Sequence, residues 1–330
     1  KNNYENVKMY SANFNHLKNN NDIDEMPYQK NVSKFTSYPH FFVQMKGKSP
    51  IEPIQHFTKV LCQPILFPNI YIFEEIADKL KKDNIEVILD GNDGDNTISH
   101  GFEVLFSYFI KLRFIKFTKE VYLYSKFVDG SFKKFLFLFV KQAIKEIFKV
   151  KKIENKNSIL KKDLEIKKNP KNMISFFSSH RKKLSIDLHF QANEIRNEFF
   201  RYFKIENFSP FYDEELINFC ISMPSENKFK NGLTRHILRE FLLDFLPKNH
   251  AHRDKSILTP GLLSNFKDSD LKIFKSELKN INKHLIDVLD LERLESILSK
   301  VEKENKIIEE ELINIQVFIS ANVFLNHNNL

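Results

Sequence analysis

Leu89 to Asn96 reads LDGNDGDN, a turn that places three carboxylates, Asp90, Asp93 and Asp95, around Gly91 and Gly94. Glycines let a backbone fold tightly and bring N–H groups close to an anion. Carboxylates repel phosphate, but they hold Mg²⁺, which bridges to phosphate oxygens because a hard cation wants oxygen ligands. The spacing also resembles a calcium loop, yet no glutamate stands where such a loop needs its bidentate ligand. On these residues alone the turn is either a nucleotide site or an Asp/Gly turn without a ligand.

A second cluster is HAHRDKS, His250 to Ser256, in which Arg253 and Lys255 flank Asp254. Fixed positive charges at this spacing suit a pyrophosphate or a developing oxyanion. A charged loop after Pro247 has the same composition. His250 and His252 lack a third ligand at a metal-site spacing, so no metal is expected there. The third segment is ENFSPFYD, Glu206 to Asp213. By itself it is a turn that opens a helix, with Asp213 as N-cap and Glu206 as a polar loop residue.

The elements that must position these residues fall into two parts. Val7 to Phe14 (VKMYSANF) is a β-prone run that leaves into a polar loop, and Tyr38 to Met45 contains a second strand, HFFVQM. Ile70 to Leu80 has helical periodicity, followed at once by the apolar strand EVILD, Glu86 to Asp90. Helix, buried strand and Gly-rich turn in that order predict a parallel sheet with EVILD as an interior strand. Ligands then gather at its carboxyl end, facing the end of VKMYSANF. Beyond about residue 102 strand signals fade. Phe102 to Phe148 reads as packed helices, and Lys151 to Asn172 as a solvated connection with broken helix. Asp213 to Met223 and Thr234 to Leu246 are amphipathic. The second carries Ile237, Leu238, Phe241, Leu242 and Phe245 on one face. Three more amphipathic helices are expected between Ser269 and Asn326.

An apolar fraction of 42%, with 34 Phe, requires a real core. Cys62 and Cys220 are the only cysteines and are far apart, which argues against a disulfide framework and for a reducing cytoplasm. No run of about 18 uncharged apolar residues occurs, so no membrane span and no membrane partner are expected. The net charge of +8 comes from lysines spread through the chain, which reads as solvated surface and not as a nucleic-acid face. Lys1 is not a methionine, and the chain reads as processed or incomplete.

Taken in order and approximate separation, the three segments resemble the synthetase domain of glutamine-hydrolysing asparagine synthetases. That family includes β-lactam synthetases and lasso-peptide macrolactam synthetases. Its LSGxGGDE turn is similar to Leu89 to Asn96. Its ExRxPFLD segment is similar to Glu206 to Asp213, followed by a helix like ELINFCISMP. Its basic segment after LLP is similar to PKNHAHRDKS, whose RDK form is close to the lasso-peptide branch. Ser209 to Lys255 is the most specific part of the match. More loosely, VKMYSANF resembles the family's second strand and Asp24-Glu25 its following acidic pair.

The resemblance implies one PP-loop ATP pyrophosphatase-type (adenine nucleotide alpha hydrolase-like) domain over residues 1–330. Its α/β nucleotide-binding part would span 1–101 and a mainly helical part 102–330. It implies ATP and Mg²⁺ as cofactors, a carboxylate substrate, ammonia or an amine as acceptor, and a possible glutaminase domain or partner. The carboxylate becomes an acyl-adenylate with loss of pyrophosphate, and the amine then displaces AMP. Carried over, Ala12, Asp90, Gly91, Gly94 and Arg253 are nucleotide-binding and Asp95 is a Mg²⁺ ligand. Glu206 handles the amine's proton, and Lys255 stabilises the departing pyrophosphate and so should approach Asp90 to Asp95. The alternative is a non-catalytic relative acting as a binding or partner module. The sequence departs from the pattern in several places. The SGGxDS loop that precedes the family's second strand does not occur in it, nor does the glutaminase domain. Asn96 stands for a glutamate, ISHG (Ile98 to Gly101) for a Gly-Gly-Tyr neighbourhood, and Phe208 for an arginine.

Overall fold

The computed structural model describes residues 6–14, 17, 25–36, 38–65, 67–148, 159–161, 177–184, 187–253, 259–304 and 306–330. Strand β1 (Met9–Asn13) pairs in parallel with β2 (His40–Gln44), Ala12 opposite Val43. A parallel pair needs a crossover, and helix α1 (Met26–Thr36) lies within it. Helix α2 (Glu52–Val60) carries proline in its first turn, where a missing N–H costs nothing. Helix α3 (Ile70–Lys82) buries Ile70, Tyr71, Ala77 and Leu80.

Strand β3 (Val87–Leu89) pairs in parallel with β4 (Glu206–Phe208), Leu89 opposite Phe208. The expected parallel pairing holds, but EVILD is not interior. Among the described residues β3 has a strand on one edge only, and Val87 and Leu89 are 52% and 75% exposed. Only Ile88 of the three turns its side chain onto the main core.

Helices then dominate, as expected. Helices α4 (Gly94–Ile98), α5 (Glu103–Ile110), α6 (Phe114–Phe127) and α7 (Phe132–Ile147) follow β3. Phe102, Phe117, Val121, Phe139 and Phe229 form a second core among the last three. Helices α8 (His180–Leu184) and α9 (Asp187–Tyr202) lead into β4. The connection before them is not wholly solvated: Ile159 is buried, and Leu160 makes a bridge to Leu289. Lys161 donates its N–H to the Val288 carbonyl at 3.0 Å, and the remaining residues of that connection lie outside the described ones.

After a 3₁₀ turn (Pro210–Tyr212) come α10 (Glu214–Ser222), α11 (Ser225–Lys228) and a small hairpin, β5 (Phe229–Lys230) and β6 (Leu233–Thr234). Asn231 and Gly232 close that hairpin with φ of 54° and 74°, the left-handed pair a tight two-residue turn demands. Helices α12 (His236–Leu242), α13 (Lys248–Ala251), α14 (Thr259–Ser264), α15 (Asp268–Lys279), α16 (Lys283–Ile286), α17 (Leu291–Glu304) and α18 (Glu309–His327) complete the chain.

Asp213 caps α10 as expected, accepting from the Leu216 N–H at 2.9 Å. The apolar face assigned to Thr234 to Leu246 is corrected, because Phe241 and Phe245 are exposed while Arg239 is buried. Arg239 turns inward because its guanidinium satisfies three carbonyls, those of Thr234, Ala251 and Arg253. A charged fork with that many acceptors outweighs the apolar alternative.

The main core joins α2, α3, α9, α15, α17 and α18 through Phe57, Tyr71, Phe199, Phe274, Leu294 and Phe318. Helix α18 is buried on more than one side, and its polar residues hold the neighbouring loops. Gln316 donates to the Pro50 and Pro68 carbonyls at 2.9 and 3.1 Å, and the Ser320 hydroxyl accepts from the Ile65 N–H at 2.6 Å.

Candidate nucleotide and acyl-transfer site

The Asp/Gly turn sits at the carboxyl end of β3, as its composition predicts. The Asp90 N–H donates to the Phe208 carbonyl at 3.0 Å and so extends the β3–β4 ladder by one residue. The Asp90 side chain folds back on its own turn, accepting from the Asn92 N–H at 3.1 Å. Its other oxygen lies 3.4 Å from Nε of Arg196, which reaches out of the buried side of α9. The Arg196 guanidinium also donates to Asn193 Oδ1 at 2.6 Å and lies 5.9 Å from the Tyr212 ring centroid.

Asp93, not a glycine, takes the left-handed conformation in this turn, at φ 58°. Aspartate tolerates that region because its short side chain bonds locally, and Asn96 Nδ2 donates to it at 2.7 Å. The Tyr212 hydroxyl donates to the same carboxylate. Burial, and then the Asp93 carboxylate, push the Tyr212 phenol well above its usual range, so the proton stays on the phenol. The expected role of the two glycines changes accordingly, since neither is left-handed. Gly94 is needed for space, because a Cβ there would lie 3.0 Å from the Phe211 ring. Above Gly91 a Cβ would meet nothing within 4 Å, so that side of the turn is open.

Asp95 forms an ion pair with Arg235 at 2.9 Å. Arg235 is itself left-handed, at φ 53°, and its guanidinium also lies 2.9 Å from His100 Nε2. His100, in the ISHG segment, therefore accepts from the arginine that pairs with Asp95. Behind α4, His180 Nε2 lies 2.8 Å from the Asn96 carbonyl and Lys228 Nζ lies 3.0 Å from His180 Nδ1. His180 Nδ1 also lies 3.2 Å from the Cys220 carbonyl, so the imidazole links the Asn96 and Cys220 carbonyls with Lys228. Burial lowers the pKa of both His180 and Lys228. Gly101 ends this stretch at φ 76°, where a Cβ would come within 2.7 Å of the Lys228 backbone.

Ala12 and Arg253 are each contacted from the start of α1 or the residue before it. Gln29 Nε2 donates to the Ala12 carbonyl at 3.4 Å. Glu25, one helical turn earlier, accepts from Arg253 at 2.5 Å, and the Arg253 guanidinium lies 4.5 Å from the Tyr28 ring centroid. Tyr28 in turn meets His250 edge-on at 5.0 Å. Arg239 fixes the Arg253 carbonyl at 2.7 Å. Lys255, with Asp254, lies outside the described residues.

Glu206 is not gathered with the turn. It pairs with Val87, three residues before Asp90, which sets it about 10 Å back along the strand. There it lines a pocket of about 520 Å³ with Asn197, Arg201, Lys204 and Asn207.

Tyr212, Arg196, Arg235, His180 and Lys228 were not legible as site residues. One signal existed: Arg196 falls on the face of α9 that carries Ile195, Phe199 and Phe200, and an arginine among core positions requires an acidic partner. Among the described residues no group of three or more His, Cys, Asp or Glu side chains is arranged to hold a metal. Asp95 with Mg²⁺ is a different case. Mg²⁺ uses one or two carboxylates plus phosphate oxygens and water, not an all-protein cage. A single carboxylate at the rim of an open turn fits that use. Among known families, asparagine synthase matches residues 1–325. No curated protein matches the chain.

Proposed function

The chain belongs to the asparagine synthase family, a family of PP-loop-type fold that forms amide bonds with ATP, and on that premise we propose that it activates a carboxylate as an acyl-adenylate for attack by ammonia or an amine. The observation that carries the reading is the turn Asp90 to Asn96. It stands at the carboxyl end of a parallel strand, the place where open α/β sheets bind ligands. Each of its carboxylates is held by a separate partner, Asp90 by Arg196, Asp93 by Tyr212 and Asp95 by Arg235.

In this reading Ala12, Asp90, Gly91 and Gly94 would hold the nucleotide. Asp95 would hold Mg²⁺, which would supply charge neutralisation on the leaving group. Arg235 keeps the Asp95 carboxylate oriented. Arg253 is pinned by Glu25 and Arg239, and Lys255 would stabilise the departing pyrophosphate. A preorganised ammonium at a leaving group contributes roughly several kcal/mol to a transition state. Glu206, set back along β4, would receive the proton of the attacking amine only through an intervening water. The pyrophosphate loop of the family sits on a strand ahead of β1. Among the described residues β1 and β3 are each paired with a strand along one edge.

The test is ATP–pyrophosphate exchange by the full natural polypeptide, screened with amino-acid and peptide carboxylates. Exchange should depend on one carboxylate class and on Mg²⁺. Asp95→Ala and Lys255→Ala should each lower it by about 10²-fold or more with the fold intact. Lys255→Arg should restore it only in part, since a planar fork does not replace a point charge. Exchange at the normal rate in Asp95→Ala removes Asp95 from the mechanism. No exchange with any carboxylate, with nucleotide still bound, points to the non-catalytic relative.

A further inference from the structure

The hairpin α6–α7 buries one face and leaves the other largely apolar. Phe117, Val121, Phe139 and Ala143 face inward. Tyr122 meets Phe132 at 5.7 Å and Tyr124 meets Phe135 at 5.2 Å across the short turn between the helices. That turn sets the helices antiparallel, so the first turn of α6 and the last turn of α7 lie at one end. At this end Leu112, Ile115 and Phe148 are 72%, 86% and 72% exposed, with Ile110, Phe114 and Ile147 beside them. The face continues along α7, where Phe137, Ile144 and Phe148 recur at helical spacing with Lys134, Lys141 and Lys145 between them.

Charge follows the same surface. Residues 110–148 hold nine Lys or Arg and three Asp or Glu, a net +6 within a chain of net +8. One of the acids, Glu120, is turned inward and accepts from the Gly232 N–H at 2.7 Å. Lys126 and Lys141 lay their stems over aromatic neighbours, with Nζ 5.7 Å from the Tyr122 centroid and 5.8 Å from that of Phe137. The even lysine distribution expected from composition therefore does not extend to net charge.

Clustered exposed apolar side chains mark an interaction site, and the lysines among them narrow the partner. Protein interface cores are depleted in lysine. Single-stranded nucleic acid stacks its bases on π-faces; Phe137 and Phe148 offer them, but Ile115, at 86% the most exposed residue of the group, and Leu112 do not. An anionic bilayer takes both features, apolar side chains at the headgroup–acyl boundary and lysines at the phosphates.

We propose that this end of the α6–α7 hairpin is a peripheral docking site for an anionic lipid bilayer. Leu112, Ile115 and Phe148 enter the interface, and Lys111, Arg113, Lys116 and Lys145 meet the headgroups. The contact lies on the membrane and does not cross it, as no helix among the described residues is long and apolar enough to span one. The site is independent of the amide-synthetase reading.

Co-sedimentation of the full chain with lipid vesicles tests it. Binding is expected with mixed phosphatidylcholine–phosphatidylglycerol vesicles, much less with phosphatidylcholine alone, and it should fall as salt rises. Ile115→Asp and Phe148→Asp should each lower the bound fraction about tenfold. Thermal unfolding should stay unchanged, because both side chains are exposed. Lys116→Glu with Lys145→Glu should remove the preference for anionic lipid. Failure to bind anionic vesicles at low salt would falsify the proposal. So would wild-type binding by both Asp variants. A dimer in sedimentation velocity that Ile115→Asp abolishes would assign the surface to a second copy, and displacement of vesicles by an oligonucleotide would assign it to nucleic acid.

Discussion

Each carboxylate in the Asp90 to Asn96 turn is oriented by a residue from a different part of the chain, so the turn's shape depends on long-range partners. Tyr212 illustrates the energetics. Its hydroxyl donates to Asp93, the residue that carries the turn's positive φ. A hydrogen bond to a charged group contributes roughly 1.5–3 kcal/mol. Tyr212→Phe should therefore lower the unfolding free energy by about 2 kcal/mol. Urea denaturation read by tyrosine-independent circular dichroism measures it. An unchanged midpoint would show that the Tyr212 hydrogen bond adds no net stability.

Among the elements, α18 is the clearest case of a helix whose polar residues position loops. Gln316 is buried and serves two proline carbonyls, those of Pro50 at the start of α2 and Pro68 just before α3. Neither carbonyl can be served by a ladder, since both belong to connections. Gln316→Leu keeps the volume close but strands two acceptors, at about 1–3 kcal/mol for each buried group left unpaired. The expected result is a fall of several degrees in Tm. Gln316→Glu should be worse, because a carboxylate has no donor for either carbonyl. Equal melting of wild type and Gln316→Leu would mean that water replaces the amide.

For the molecule as a whole, Glu74 of α3 makes one readable contribution to pH dependence. Burial, and then the charges of Glu75 and Asp78, push its pKa up to about 7. The unfolded chain releases this proton near the ordinary glutamate value of about 4.3. Between those two pH values the folded protein binds the extra proton, so stability falls as pH rises through the window and levels off above it. Glu74→Gln removes the penalty. It should be neutral at acid pH and stabilise by on the order of 2 kcal/mol in mild alkali, once solvent screening of a half-buried group is allowed for. Thermal melts of both proteins across that pH range give the difference directly. A constant gap between the two curves would exclude Glu74 as its source.

Local pattern and composition determined the parallel strands β1, β2 and β3, helix α3, the helical remainder of the chain and the Asp213 cap. Each of those rests on periodicity or on a single side chain bonding to its own backbone. The turn at Asp90 was equally legible, because an Asp/Gly run directly after an apolar strand is a local signal. What tertiary structure decided was every partner. Arg196 reaches Asp90 and Arg235 reaches Asp95 from positions more than 100 residues away. Glu206, similar by motif to a catalytic carboxylate, is set back along β4 by strand register. The strand expected to be interior has an open edge among the described residues, because a run of apolar residues reports burial of a strand but not which neighbours supply it. Arg239 reversed the expected face of α12 for a related reason. Hydrophobic periodicity ranks faces by apolar count, while three backbone carbonyls converging from separate segments exist only once the chain is folded.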